Sequence, residues 1–155
     1  MNRLNEQELS VWRYFLKAHA KVIEQIERDL SAHKRVPLMT YDVLIVLFEA
    51  PEKKLQLKKL TEKLVLTKSG LTRLLDRLEK KGFIRREPSQ TDRRSIFAVL
   101  TERGEKELRR AWPIYARGIK QYFSTFMSDE ELKIMQRIFQ SLYESENRDD
   151  DRADA

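Results

Sequence analysis

The chain has 155 residues, of which 41% are hydrophobic, enough for one compact domain with or without a helical extension. It contains no cysteine, which excludes disulfides, thiolate metal sites and thiol-based redox sensing. The net charge is +6, and the segment from Lys53 to Arg94 holds fourteen Lys and Arg against five Asp and Glu, which indicates either a surface that binds a polyanion or a solvated basic face.

The cellular location is predicted from two further features of the sequence. No apolar run approaches the ~20 residues that a membrane-spanning helix needs. The opening residues, MNRLNE, have no apolar stretch typical of a signal peptide. We therefore expect a cytoplasmic protein without a membrane partner.

The N-terminal segment, 5–32, is predicted to form one long amphipathic helix. Its apolar residues recur at alternating steps of three and four, which places them on one helical face. This face carries Leu9, Trp12, Leu16, Ile23, Ile26 and Leu30, with His19 on the same seam, and Phe15 and Val22 widen the stripe.

The middle of the chain predicts a helix-turn-helix. A buried helix over 40–50, with Thr40 as its N-cap, precedes a short strand at 55–57. Two helices, at 58–65 and 68–81, follow and are joined by a tight connection at 66–67. Gly82 stands where a left-handed helix cap is wanted. The residues expected to point inward are Leu60 and Leu64 on the first helix and Leu71, Leu74, Leu75 and Leu78 on the second.

A basic β-hairpin is predicted next, with strands at 83–87 and 95–100 and a polar loop at 88–94. Thr101 is expected to cap the helix after it. Two short helices followed by such a hairpin describe a helix-turn-helix with a wing. The fold class is therefore mainly α with a small β-hairpin wing, and the winged helix-turn-helix lobe spans 38–100.

The C-terminal part, 101–143, predicts further amphipathic helices. Pro113 is expected to kink the first or to mark a break near its start. The sequence SDEE at 128–131 is typical of a capping box that opens a last helix. The acidic segment 144–155 lacks apolar residues and is expected to be disordered. The apolar stripes are Leu108, Trp112, Tyr115, Ile119, Tyr122 and Phe126, then Leu132, Met135, Ile138, Phe139 and Leu142.

These terminal stripes need cover that a small central lobe does not supply. The favoured interpretation is a dimerisation arm, in which 5–32 and 101–143 pack together and against a second copy of the chain. The alternative is a monomeric helical bundle.

The second helix of the helix-turn-helix carries most of the candidate DNA contacts. Arg73 offers a planar fork that suits guanine in the major groove, whereas Arg77 is expected to reach phosphate. Alternatively, both are ordinary exposed helix residues. The full candidate set, on this helix and just before its start, consists of side chains that reach bases or phosphates, with one glycine that permits close approach: Thr67, Lys68, Ser69, Gly70, Thr72, Arg73 and Arg77.

The tip of the wing adds Asp92, Arg93 and Arg94 to the candidate contacts. Arginines are favoured in a narrow minor groove by its enhanced negative potential. Asp92 would itself repel phosphate, so its expected role is to orient Arg94 through an ion pair or to form an Asx turn. A solvated loop tip is the alternative.

At these residues the sequence resembles the MarR (multiple antibiotic resistance regulator) family of transcriptional regulators. The resemblance rests on LTEKL at 60–64, SGLTRLLDRLEKKG at 69–82, IRR at 84–86, DRRS at 92–95 and LTERG at 100–104, and extends over roughly 5–145.

The resemblance implies a homodimer that binds a pseudo-palindromic operator on double-stranded DNA. Most members of the family are repressors, so the resemblance also implies a repressor that releases DNA when a small aromatic or anionic effector binds. By motif position, the recognition-helix contacts are Lys68, Ser69, Thr72 and Arg73, and the wing supplies Arg94 with its accompanying Asp92. The chain departs from the redox branch, since it has no cysteine, and from the zinc branch, since it has only two histidines.

Candidate effector residues are those expected where the helical arm meets the DNA-binding lobe. As a hypothesis, they are Trp12, Phe15, His19, Tyr41 and Arg86. His19 and Trp12 are, however, more often core or interface residues on such an apolar face. No metal site and no cofactor are expected.

Two other functions compete with a sequence-specific regulator. A non-specific architectural nucleic-acid binder would draw its affinity from phosphates and lose it in salt. An enzyme is not expected, because no nucleophile–base pair, glycine-rich phosphate loop or metal cluster is recognisable. The sequence does not identify the operator, the regulated genes or the effector, nor does it separate repression from activation.

Overall fold

The computed structural model describes residues 3–64, 68–92 and 94–150. Its helices are α1 (Glu6–Ala32), α2 (Leu38–Glu49), α3 (Leu57–Lys63), α4 (Lys68–Lys80), α5 (Glu102–Tyr122) and α6 (Asp129–Asp150). Its strands are β1 (Lys54–Gln56), β2 (Ile84–Pro88) and β3 (Ile96–Leu100). The mainly helical fold with a small antiparallel sheet confirms the predicted class.

Helix α1 begins with a reciprocal capping box between Asn5 and Glu8. Only its C-terminal part enters the core, where Ile26 and Leu30 are buried. There α1 packs closely on α5, and Gly118 of α5 permits this approach because it has no side chain. A Cβ at Gly118 would lie 2.8 Å from Cγ1 of Ile26. The residues from 10 to 21 remain exposed.

Helix α2 starts two residues earlier than predicted, so Thr40 is not its N-cap. The helix begins at Leu38 after Pro37, and Thr40 lies inside it, buried. The missing cap comes from α1: the main-chain N–H of Leu38 donates to the Glu27 carboxylate at 2.9 Å. A carboxylate from another helix thus satisfies one of the free N–H groups of the first turn.

The helix-turn-helix is confirmed in its elements, with boundaries shifted by one or two residues. Strand β1 precedes α3, and a left-handed Gly82 with φ of +70° follows the end of α4 at Lys80. The connection predicted at 66–67 lies outside the described residues. All of the residues predicted to point inward are buried: Leu60, Leu64, Leu71, Leu74, Leu75 and Leu78.

The wing is a three-stranded antiparallel sheet in the order β1-β3-β2. Strand β3 pairs with β2 from Ile84 opposite Leu100 to Pro88 opposite Ile96. Thr101 then closes the hairpin: its hydroxyl donates to the carbonyl of Gly82 at 2.6 Å and, as the predicted N-cap of α5, accepts the N–H of Gly104.

Helix α5 runs without interruption from Glu102 to Tyr122, so the break considered at Pro113 is wrong. The predicted capping box of α6 is confirmed, since Ser128 and Glu131 each accept the other's main-chain N–H. Helix α6 extends to Asp150, into the segment 144–155 whose disorder stays a prediction. Runs of Glu, Asn and Arg extend a helix that an upstream capping box has already nucleated. Residues 151–155 lie outside the described part.

Large apolar side chains on the terminal helices stay uncovered in a single chain. Trp12 is 55% exposed, Trp112 52% and Phe126 78%. The predicted stripes are therefore not buried within one copy, as a monomeric bundle would require. Further exposed members of this arm surface are Val11, Tyr14, Phe15, Leu16, Ile134, Ile138, Leu142 and Tyr143.

Candidate nucleic-acid interface

The outward face of α4 carries cations that the rest of the described chain leaves without an ion pair. Its leucines at 71, 74, 75 and 78 face the core, which turns Arg73 and Arg77 to solvent. Neither arginine forms a salt bridge with any residue that the structure describes. Ser69 and Thr72 are exposed on the same helix, and Gly70 is half-buried. These five residues therefore share one helix and its solvent side.

The tip of the wing is shaped by Asp92. One carboxylate oxygen accepts the main-chain N–H of Arg94 at 3.0 Å, and the other accepts the Ser95 hydroxyl at 2.6 Å. The first bond is the Asx turn considered from the sequence, and no Asp92–Arg94 ion pair occurs among the described residues. The hydroxyl bond of Ser95 and the N–H of Arg94 hold the pKa of Asp92 below its usual range. Asp92 thus holds the loop while Arg94 stays exposed.

Three candidate contacts fall outside what the structure describes. They are Thr67, the side chain of Lys68, and Arg93. Thr67 and Lys68 precede the exposed face of α4, and Arg93 precedes Arg94 at the wing tip. Their roles stay predictions from the sequence.

Helix α3 adds basic residues that the sequence reasoning did not single out. Lys58, Lys59 and Lys63 are exposed on it, opposite the buried Leu60. In a helix-turn-helix the first helix crosses the DNA backbone, where ammonium groups meet phosphates. The sequence could have indicated these residues, because the inward leucines of the predicted helix place the lysines on its opposite, outward face.

The five candidate effector residues lie in three places. Trp12, Phe15 and His19 form a row of ring contacts along α1, at 5.9 and 6.4 Å between centroids, and Phe15 also meets Phe139 of α6 at 6.0 Å. Tyr41 is buried elsewhere, between α2 and α5. Arg86 is bonded to α4.

Tyr41 belongs to an aromatic group at the junction of the lobe and the arm. Its ring packs edge-on against Tyr115 at 4.8 Å, and Tyr115 packs against Trp112 at 6.3 Å. Burial raises the pKa of Tyr41 to about 12, with smaller contributions from Tyr115 and nearby carboxylates. Tyr41 is therefore a neutral phenol, and the half-exposed Trp112 is the member of this group that a solute reaches.

A cavity of about 290 Å³ lies beside the lobe, and none of the five candidate effector residues lines it. Its walls come from the end of α2, the following turn, β1, α3 and α6: Val46, Glu49, Ala50, Pro51, Leu55, Lys63 and Tyr143. Within the described residues, no group of three or more metal-ligating side chains occurs. None of the helices in that same part is both long and apolar enough to span a bilayer.

Comparison with known proteins decides the family. The MarR family model matches residues 38–96, the lobe that contains α2 to the start of β3. The uncharacterized HTH-type transcriptional regulator YkoM of Bacillus subtilis is 33% identical over 126 residues, which is 81% of this chain and 80% of that protein. The chain belongs to the MarR family.

Two further relatives show what this MarR protein is similar to. The transcriptional repressor MprA of Escherichia coli K12 is 28% identical, over 84% of this chain and 73% of its own. Sco3205, a MarR family transcriptional regulator of Streptomyces coelicolor solved in complex with DNA, has a TM-score of 0.88 and 30% identity, covering 94% of this chain and 91% of its own. The resemblance drawn from the sequence is confirmed, and the MarR chain described here is a winged-helix transcriptional regulator.

Proposed function

We propose that this MarR protein is a homodimeric repressor that binds a pseudo-palindromic operator on double-stranded DNA. The observation that carries the proposal is the pairing of two surfaces on one chain. One is the cationic face of α4, where Arg73 and Arg77 make no ion pair with any described residue. The other is the uncovered apolar surface of the terminal helices.

The apolar arm supports the dimer. Outside Trp112, which adjoins Tyr115, side chains as large as Trp12, Tyr14 and Phe126 are not left in water on a stable monomer in such number. A second copy, related by a twofold axis, covers the same patch on both chains. We assign 5–32 and 101–143 to this helical region and 38–100 to the DNA-binding lobe.

The dimer fixes the distance between the two recognition helices on the DNA. Two recognition helices related by a twofold axis enter successive major grooves, about 34 Å apart along the duplex. In each half-site, Ser69, Thr72 and Arg73 face the bases from the start of α4. Arg77 and the lysines of α3 face phosphates, and Arg94 reaches the adjacent minor groove from the wing.

Repression is supported by the likeness to MprA, whose name is that of a repressor, and DNA binding by the likeness to Sco3205. We propose a cytoplasmic location, since operator DNA is the partner that the proposal requires. We assign no catalytic role to the chain, since its relatives are regulators.

We place the effector site at the aromatic group of Tyr41, Tyr115 and Trp112, where α2 of the lobe meets α5 of the arm. A flat aromatic acid that stacks on the half-exposed Trp112 would displace α2 relative to α5. This would change the distance between the DNA-binding lobes of the two copies. The chain has two tryptophans, so fluorescence titration of W12F and W112F variants separates the two regions. Quenching that persists in W112F but is absent in W12F would place the effector on α1 instead.

The test of the proposal is binding to the DNA upstream of the protein's own gene, compared with a shuffled duplex, at several salt concentrations. We expect R73A to weaken binding to the own-promoter duplex by ~1–3 kcal/mol and to relax specificity at one position. R3A is the matched control, because Arg3 is exposed and lies outside both the DNA-binding lobe and the helical arm. Equal affinity for both duplexes, with a steep loss in salt, would instead show an architectural binder.

A further inference from the structure

Arg86 connects the wing to the recognition helix through three hydrogen bonds. It lies in β2, and its guanidinium donates to the Asp76 carboxylate at 2.6 Å and to Glu79 at 3.3 Å. Its main-chain N–H also donates to Glu79, at 3.2 Å. Both acids belong to α4, so one side chain of the wing holds the two carboxylates of the recognition helix.

The Arg86 guanidinium is partly buried between α4 and β2. The Arg86 side chain is 26% exposed, against 50% for Asp76 and 41% for Glu79. Its Nε is buried and has no hydrogen-bond partner among the described residues. Arg86 is therefore held at the back of α4, in contrast to Arg85 beside it, which is 57% exposed and pairs with Glu87.

The spacing on α4 gives this arrangement a consequence for Arg73. Residues three and four apart on a helix are neighbours, with Cβ atoms about 5–6 Å apart. Asp76 is three residues after Arg73, and it is the acid of α4 that this spacing places beside Arg73. A pair of these two would hold the arginine fork against its own helix. In the structure Asp76 bonds to Arg86, and Arg73 has no ion pair within the described residues.

We propose that Arg86 is a positioning residue for DNA reading: by holding the Asp76 carboxylate, it keeps the Arg73 guanidinium available to the bases. This inference rests on the proposed function of α4. Arg86 acts through Asp76 and not by touching DNA itself. Losing Arg86 releases a carboxylate that competes with guanine and phosphate for Arg73.

The experiment measures anisotropy of a labelled own-promoter duplex with wild type, R86Q, D76N and R86Q/D76N. We expect R86Q to raise Kd by about tenfold, the equivalent of one charge-assisted hydrogen bond. D76N should stay within about twofold of wild type, the usual size of effect for an exposed substitution. The double variant should return to within about twofold of D76N, because no carboxylate of α4 remains three or four residues from Arg73.

R85Q serves as the matched control, since it removes one positive charge from the same strand and breaks only the pair with Glu87. Its Kd should lie within about twofold of wild type, as for other exposed pairs. Thermal unfolding of each variant at one fixed concentration distinguishes a loss of DNA affinity from a loss of folding.

Two results would overturn the inference: an unchanged Kd for R86Q, or a double variant that binds as weakly as R86Q. If R86Q does not fold, D76N and R86Q/D76N decide the matter, because equal affinities support the role and a tenfold weaker double variant refutes it. Failure of the proposed function looks different. In that case wild type itself does not distinguish the own-promoter duplex from the shuffled one.

Discussion

Gly104 lies where the start of α5 packs against the hairpin of the wing. It is the third residue of α5, and a Cβ added there would lie 2.1 Å from the carbonyl oxygen of Phe83 and 2.8 Å from Cδ1 of Leu100. The nearest obstacle is a main-chain atom, which cannot rotate away as a side chain does. G104A therefore forces the start of α5 away from the hairpin that Thr101 closes.

The cost of this substitution follows from two opposing effects. Overpacking a tight contact costs ~1–3 kcal/mol, and more where the backbone must move. Alanine in place of glycine inside a helix returns about 1 kcal/mol. Strain on the bond from the Gly104 N–H to the Thr101 hydroxyl adds to the loss, since an N-cap is worth ~1 kcal/mol. We expect G104A to lower the free energy of unfolding by about 1–3 kcal/mol, or Tm by roughly 3–10 °C.

The assay is thermal unfolding followed by circular dichroism, at one protein concentration because dimerisation shifts Tm. The comparison variant is G118A, whose Cβ would meet the Ile26 side chain at 2.8 Å. A side chain yields more readily than a carbonyl, so G118A should be less destabilising than G104A. A G104A protein as stable as wild type would refute the close approach of α5 to Phe83.

Three further changes have expected outcomes. R94A should weaken DNA binding and reduce the slope of log K against log salt by about one unit, and an unchanged slope would remove the wing from the DNA. W12S should raise the dimer dissociation constant in sedimentation experiments, because Trp12 is part of the uncovered arm, whereas the same change at the buried Tyr41 would act on the fold of the lobe. Burial, and then the charge of Glu27, raises the pKa of Asp42. Its ionised form therefore destabilises the folded state at pH above its raised pKa, so D42N should raise the free energy of unfolding at pH 7, and the gap should close below about pH 4, the ordinary pKa of Asp. Equal stability at pH 7 would contradict this assignment.

The elements that the sequence predicts correctly are those determined by near neighbours. The leucines of α3 and α4 repeat at helical spacing, and all of the predicted ones are buried. The caps at Thr101 and Ser128 use partners three residues away, within reach of pattern reasoning. Gly82 ends α4 because its φ of +70° is one that other residues rarely adopt.

The predicted cap of α2 failed because the actual partner lies far along the chain. Thr40 was chosen as a cap by its chemistry, but the actual cap of α2 is Glu27, eleven residues before Leu38. Arg86 stays a candidate effector residue, and its bonds to Asp76 and Glu79 across the turn at Gly82 are likewise contacts that local pattern does not predict. A carboxylate that satisfies a distant group leaves no local periodicity in the sequence.

The DNA-contact residues were predicted from their exposure on α4 and at the wing tip. The structure places Ser69, Thr72, Arg73 and Arg94 at the surface, and their contacts with bases stay a prediction. Neither Lys58 nor Lys59 was singled out, because a lysine on an amphipathic helix is ordinarily a solvated residue. Only their position on the first helix of the pair gives them a candidate role.

The carboxylate of Glu27 has a practical consequence for engineering chimaeric regulators. The first N–H of the DNA-binding lobe, at Leu38, is satisfied by a residue that belongs to the arm. If a segment beginning at residue 38 were grafted onto another scaffold, the N–H of Leu38 would lose its acceptor and the start of α2 would fray. A transplant that changes operator preference without loss of order should therefore carry the second half of α1 with it, or supply a replacement acid from the recipient.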